Sequence, residues 1–186
     1  MIALTDAMRL RGPATSESNG GKRQKLRTTR LPDEMRQIAS GPSREKYDVY
    51  VSESDMSFWK VVMAGPSGSP YAAGTFLLYL HAEENHPAFA PTARFITRVL
   101  HPNVNAHGRI CHSVFGRDWA SDTSMTDLLD TVFGLLMQAE FSDPVSTTAV
   151  LGYHHDQVEF HEEARESTAK YASKTRAEWK QELLEA

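Results

Sequence analysis

Residues 101–119 read HPNVNAHGRICHSVFGRDW, and this stretch is the most informative part of the chain. It contains a proline, two glycines and the chain's single cysteine, Cys111, surrounded by basic side chains. Neither helical nor strand periodicity runs through it, so it is predicted to be an irregular loop. Ordered loops of such length inside compact domains usually carry function.

The segments before this loop predict a short helix followed by strands. Pro32 and neighbouring acids suit the first turn of a helix over residues 31–39, and Gly41-Pro42 would end it. An antiparallel meander is expected next, because turn residues separate four extended segments. These strands are predicted at 47–52, 58–64, 75–81 and 93–97.

The segments after the loop predict helices. Ser124 stands three residues before Asp127, as in a capping box, and apolar residues recur at helical spacing over 125–136, which predicts a buried central helix. A short helix near Thr147 and a long one from about Asp156 follow, with the segment beyond prolonging the last. Grouped strands with helices at both ends predict an α+β domain.

Composition and charge limit the class of protein. With 186 residues, 40% hydrophobic and 24% charged, the chain has the composition of one globular domain. A single cysteine excludes an intramolecular disulfide. Since no apolar run resembles a signal peptide or a membrane span, a soluble protein of the cytoplasm or nucleus is expected, without membrane contact.

The beginning of the chain is basic, although the net charge is −4. Residues 1–28 are predicted to form a disordered basic arm, because they lack the apolar surface that offsets the entropy of ordering. The basic run at 22–25 is interpreted as a solvated segment, with a nuclear address, a weak polyanion contact or a transit peptide as alternatives. No nucleic-acid partner is expected.

The lone cysteine permits two interpretations from the residues alone. An isolated cysteine is commonly a small buried hydrophobe. The polar loop around Cys111, with Arg109, His107 and His112, favours a nucleophile, because nearby cations stabilise the thiolate. A zinc site that includes His101 is not expected, since the spacing matches no paired ligand motif and a metal would occupy the nucleophile. Neither a metal nor a cofactor is therefore predicted.

Several motifs together resemble those of ubiquitin-conjugating enzymes. The His-Pro-Asn at 101–103, Cys111 and Trp119 are spaced like the active-site signature of that family. Further similar segments are the family's second strand, turn, third strand and Asp-Pro segment, here at 59–66, 69–71, 74–76 and 142–145. The resemblance covers roughly residues 30–172.

The resemblance implies a domain division and an activity. A catalytic domain at 29–172 would stand between the basic arm and a helical extension at 173–186. Its activity would be to accept ubiquitin or a ubiquitin-like modifier from an activating enzyme as a thioester on Cys111, in an ATP-dependent pathway. The modifier would then pass to a substrate lysine or to a ligase.

The resemblance also implies roles for the residues of the loop. Asn103 would stabilise the charge that develops on the thioester oxygen. From the residue type alone, the alternative is a turn-former whose side chain bonds its own loop, and the two roles are compatible. Asp143 would orient the attacking amine and favour its neutral form. His101, Pro102 and Trp119 would support the loop.

Departures from the family pattern concern the surfaces that meet partners. The residues expected there are Arg30, Pro87, Ala88, Ser121 and Asp122. Ala88 replaces an aromatic that ligases often grip, and Ser113 replaces an acid common in lysine-reactive members, so the ligase is left undetermined. An alternative stays open, namely a conjugating-fold scaffold or ubiquitin-binding module with little turnover. A cysteine hydrolase is disfavoured, because no pattern pairs Cys111 with a general base.

Overall fold

The computed structural model of the chain describes residues 2–3, 19–52, 54–142 and 145–185. The elements in chain order are β1 (Ile2–Ala3), α1 (Asn19–Ser40), β2 (Tyr47–Ser52), β3 (Asp55–Ala64), β4 (Thr75–His81), β5 (Thr92–Phe95), α2 (Met125–Met137), α3 (Thr147–His155), α4 (Gln157–Tyr171) and α5 (Arg176–Glu185). The strands form one antiparallel sheet in the order β1-β2-β3-β4-β5. The predicted α+β class and the four-stranded meander, β2 to β5, are confirmed.

The strands form where β-branched and aromatic residues are concentrated. β2 and β4 have the predicted bounds, whereas β3 begins earlier, at Asp55, and β5 ends earlier, at Phe95. In the middle of the sheet, Val61, Val62 and Met63 are consecutive and all fully buried. Because successive side chains of a strand point to opposite faces, the sheet is covered on both sides.

Helix α2 covers the inner face of the sheet. The predicted capping box is present, since Ser124 and Asp127 each accept a backbone N–H of the other. The buried side chains of this helix are Met125, Leu128, Leu129, Val132, Leu135 and Leu136. They pack in one cluster with Trp59, Phe76 and Leu78 of the strands. Burial of each such side chain stabilises the fold by about 1.5–3 kcal/mol, so this contact forms the main core.

Helix α1 begins at Asn19, well before the predicted start near Leu31. Residues 19–28, assigned to the arm by composition, continue the helix because Lys, Arg, Gln and Leu there are strong helix formers and propagation adds one bond per residue. Pro32 therefore lies inside α1, not in its first turn. Residues 4–18 lie outside the described part of the chain, so the arm stays a prediction there. Among the described helices, none is both long and apolar enough to cross a bilayer.

A smaller apolar cluster lies on the outer face of the sheet. Tyr50, Val62 and Leu77 contribute to it from the strands, and Trp179 and Leu183 from α5. The ring of Trp179 is also covered by the ammonium group of Lys174, 4.0 Å from the ring centroid. Helix α5 thus shields these apolar side chains of the outer face from solvent.

Helix α5 is separate from α4, contrary to the expectation that it would prolong α4. The chain leaves α4 after Tyr171, and Thr175 begins a new capping box, in which its N–H donates to the Glu178 carboxylate at 2.7 Å. Arg176 donates a hydrogen bond from Nε to one carboxylate oxygen of Asp48 at 2.7 Å, and its Nη2 forms an ion pair with the other oxygen at 2.7 Å. This pairing fixes the start of α5 to the start of β2, so the change of direction brings the apolar residues of α5 onto the sheet.

Candidate active site

Cys111 lies where the irregular loop folds back on itself. Its backbone N–H donates to the carbonyl of Asn103 at 2.9 Å, and Val104 and Ile110 between them pair as a β-bridge. The residue is partly exposed. The chain's single cysteine is therefore held by an ordered backbone at the surface of the domain, not enclosed in the core.

The turn that precedes Cys111 depends on Gly108. Its φ of 77° lies in the left-handed region, which favours glycine. A Cβ atom at this position would also lie 1.9 Å from the carbonyl oxygen of Phe95. Oδ1 of Asn105 accepts hydrogen bonds from two backbone N–H groups of the turn, at 2.9 and 3.0 Å. The loop is consequently seated directly on β5.

Asn103 is completely buried and holds the segment that follows α2. Its Oδ1 accepts the backbone N–H of Glu140 at 2.9 Å, and its Nδ2 donates to the carbonyl of the same residue at 2.6 Å. The carboxamide of Asn103 thus pairs with the backbone of Glu140 as a peptide group of a neighbouring strand would. The sequence predicted bonds within its own loop, whereas these two bonds reach a different segment.

His101 is buried beneath the loop. Its Nδ1 accepts the N–H of Asn103 at 3.0 Å, and its Nε2 donates to the carbonyl of Leu135 at 2.8 Å. This pattern requires the neutral imidazole, and burial lowers the pKa of His101 to about 4. His101 therefore joins the loop to the end of α2 without carrying charge at neutral pH.

The depressed pKa of His101 predicts a loss of stability in mild acid. Between pH 6.5 and pH 4 the unfolded chain binds a proton at this position that the folded chain does not, so stability rises with pH through this window. Going from pH 7 to pH 5 is expected to cost about 2 kcal/mol of unfolding free energy through this group. Urea unfolding at both pH values measures it, with His101→Gln as the variant that lacks the titrating group. Equal pH dependence in both proteins would contradict the prediction.

Pro102 ties the loop to the beginning of α3. Its carbonyl accepts the backbone N–H groups of Val145 and Ser146, both at 3.1 Å. Asp143, the predicted acid, lies outside the described residues, and its role stays a prediction. Glu140 and Val145, on either side of it, are each bonded to the His-Pro-Asn segment.

His112 and Glu140 form a contact that the sequence did not predict. Nε2 of His112 lies 2.9 Å from a carboxylate oxygen of Glu140, and Nδ1 accepts the N–H of Val114 at 3.1 Å. The sequence marked His112 only as a cation near Cys111. Nothing in the spacing indicated its partner, because the two residues meet only through the tertiary fold.

Comparison with known families identifies the domain. A family model described as "Ubiquitin-conjugating enzyme" matches residues 30–168. The chain belongs to the ubiquitin-conjugating enzyme family. The match covers the later part of α1, strands β2 to β5, the loop with Cys111, and the helices through most of α4. The resemblance inferred from the sequence is thereby confirmed.

A relative supports the same family. A protein from Acanthamoeba polyphaga mimivirus, named as a probable bifunctional E2/E3 enzyme, is 38% identical over 136 residues, which is 73% of this chain. The chain spans about a tenth of that relative, since the match covers 10% of it.

In this conjugating-enzyme domain, Trp119 joins the Cys111 loop to the loop before β5. Its indole N–H donates to the carbonyl of Pro87 at 2.9 Å, and its ring lies against that of His86. Pro87 is buried, whereas Ala88 and the neighbouring Phe89 are exposed. Phe89 therefore presents the large apolar side chain that position 88 lacks, and the family pattern at position 88 did not predict it.

Arg30 is bound within the domain. Its guanidinium donates to the carboxylate of Glu34 and to the carbonyls of Ser121 and Thr123. Glu34, itself buried, accepts the N–H of Met125 at 3.2 Å, so α1 is tied to the N-terminus of α2. The side chains of Ser121 and Asp122 are exposed. Contacts of these residues with partners stay predictions.

Within the described part of the domain, no three His, Cys, Asp or Glu side chains are grouped as they would be around a metal ion. His107 and Arg109, the other basic groups noted near Cys111, are exposed. Hydrogen bonds connect the loop, the end of α2 and the segment after it.

Proposed function

We propose that this chain accepts ubiquitin or a ubiquitin-like modifier from an activating enzyme as a thioester on Cys111 and passes it to a lysine or to a ligase cysteine. The observation that carries the proposal is the place of Cys111. It is the single cysteine of a member of this family, partly exposed, in a loop whose backbone is fixed on both sides.

The proposed chemistry consists of two acyl transfers. In the first, the Cys111 thiolate attacks the carbonyl carbon of the modifier's C-terminal thioester, a new C–S bond forms, and the thiolate of the activating enzyme leaves. In the second, a neutral amine attacks the same carbon, loses a proton, and expels the Cys111 thiolate as the amide forms. In this scheme, neither transfer consumes an oxidant or a reductant or requires a metal ion.

The second transfer places the greater demand on the site. A lysine with its ordinary pKa of about 10.4 is mostly protonated at neutral pH, so its neutral form has to be favoured and oriented. Negative charge also develops on the thioester oxygen, and a fixed amide donor stabilises it. Asn103, held next to the Cys111 backbone, is our candidate for this donor, with the second hydrogen of its Nδ2 serving in addition to the one donated to Glu140.

A loading assay tests the proposed function directly. The chain is incubated with an activating enzyme, ATP and modifier, and the products are separated with and without reducing agent. An adduct of one modifier that disappears on reduction is expected. If no modifier in a panel of ubiquitin and its relatives forms such an adduct, the proposal fails and the scaffold alternative is favoured.

Replacing Asp143 is expected to separate the two transfers. Asp143→Ala and the isosteric Asp143→Asn should load normally but discharge to free lysine about 10²-fold more slowly, because both remove the carboxylate that favours the neutral amine. Single-turnover discharge of the purified thioester measures this rate. Equal losses in loading and discharge would indicate damage to folding, and normal discharge of Asp143→Asn would exclude a role for the charge.

A further inference from the structure

Glu140, in the segment after α2, is held through both its backbone and its carboxylate. Its backbone N–H and carbonyl are both bonded to the side chain of Asn103, at 2.9 and 2.6 Å. Its carboxylate contacts Nε2 of His112 at 2.9 Å and accepts the hydroxyl of Ser142. Residue 140 is thus fixed through both its backbone and its side chain.

The contact with His112 connects this segment to the nucleophile's own loop. His112 directly follows Cys111 in the chain, and its ring caps the short 3₁₀ turn Ser113–Phe115 through the N–H of Val114. The carboxylate of Glu140 reaches the opposite edge of the same ring. One imidazole therefore bridges the turn after Cys111 and the segment that Asn103 holds from the other side.

The hydrogen bonds determine which nitrogen of His112 carries the proton. Nδ1 accepts a backbone N–H and is therefore unprotonated, so in the neutral ring the hydrogen lies on Nε2, the nitrogen 2.9 Å from the Glu140 carboxylate. Both nitrogens are occupied in this arrangement. His112 is consequently placed to orient neighbouring segments and not to act as a base toward Cys111.

We propose that His112 and Glu140 are positioning residues for attack of an amine on the Cys111 thioester. The inference rests on the proposed function. Attack by an amine needs a defined approach to the carbonyl carbon, and a displacement of about 1 Å can lower such a rate by 10²-fold. The bridge fixes residues 140–142 relative to the loop of Cys111. Exchange with a small thiol should depend less on the position of residues 140–142, because a thiol is a stronger nucleophile than an amine.

Three variants test the proposal by single-turnover discharge of the loaded chain. Glu140→Ala removes the contact and is expected to slow discharge to free lysine about tenfold, at saturating amine, without slowing discharge to a small thiol. Glu140→Gln keeps an acceptor for the N–H of His112 and is expected to restore most of the rate. His112→Asn keeps an acceptor for the N–H of Val114 but does not reach Glu140, so it should be as slow as Glu140→Ala.

Two controls separate positioning from folding and from surface charge. Glu162→Ala removes an exposed carboxylate that pairs with Arg165 on α4, and it should discharge at the wild-type rate. The double variant of Glu140→Ala with His112→Asn should be no slower than either single variant, because both remove the same contact. Nitrogen chemical shifts of the His112 ring should show the Nε2–H form in the wild type and retain it in Glu140→Ala, because Nδ1 still accepts the N–H of Val114 and the turn after Cys111 stays capped.

The outcomes distinguish the inference from the function on which it rests. If the wild type forms no thioester, both fail at the loading step. If loaded Glu140→Ala discharges to lysine at the wild-type rate, the positioning role is overturned while the proposed function stands. The role is equally overturned if Glu140→Gln is as slow as Glu140→Ala, or if discharge to lysine and to the small thiol slow together.

Discussion

Replacing Cys111 with alanine is expected to abolish the thiol-sensitive adduct completely, because the chain has no other cysteine that could form a thioester. Replacing it with serine is expected to give a slower adduct that resists reducing agent, since an oxygen ester is not cleaved by thiols. The measurement is the loading assay, resolved on gels with and without reduction. The two variants together identify the atom that carries the modifier.

Folding damage is an insufficient explanation for that loss. The Cys111 side chain is only partly buried, so the free energy of unfolding of both variants should lie within about 1 kcal/mol of the wild-type value. The backbone bond from residue 111 to Asn103 does not involve the side chain and is retained. A persistent reducible adduct on Cys111→Ala would contradict the assignment.

Replacing Asn103 with alanine is expected to reduce both stability and discharge. The side chain is fully buried and satisfies two backbone groups of Glu140. Leaving these groups without a partner costs about 1–3 kcal/mol each, which denaturant unfolding measures. Loss of the amide donor for the thioester oxygen should slow discharge to lysine by about 10²- to 10³-fold.

Comparison with Glu140→Ala separates the two contributions of Asn103. Glu140→Ala loses the contact with His112 but keeps the Asn103 carboxamide and its two backbone partners. Discharge of Asn103→Ala should therefore be at least about tenfold slower than that of Glu140→Ala, with both assayed well below their unfolding temperatures. Equal rates would mean that Asn103 acts only by holding the segment after α2.

Much of the fold could be predicted because its elements carry local signals. The capping box of Ser124 and Asp127 and the helical spacing after it identified α2, and β-branched and aromatic runs identified β2 and β4 with correct bounds. The early start of α1 was missed because a charged, glycine-containing segment lacks the apolar period of a packed helix. The strand at Ile2–Ala3 was missed because two residues carry no strand pattern and pair only with the edge of β2.

The sequence could predict only those residues of the candidate site that are related by their spacing along the chain. The His-Pro-Asn segment, Cys111 and Trp119 belong to one continuous stretch and were found together. Glu140 was not, because its carboxylate becomes relevant only when the fold brings it to His112. Likewise, the spacing of Trp179 and Leu183 indicates a helix but not the face of the sheet on which it lies.

The position of α5 has a consequence for recognition. Where the strands alone would present Tyr50, Val62 and Leu77 to an approaching macromolecule, the covered surface presents the outward side of α5 instead. The exposed residues on that side are mainly charged and include both signs, among them Glu178, Lys180 and Glu182. With α5 in place, a macromolecule that approached this flank would meet charges of both signs, whose interactions are screened by salt, and not a continuous apolar surface.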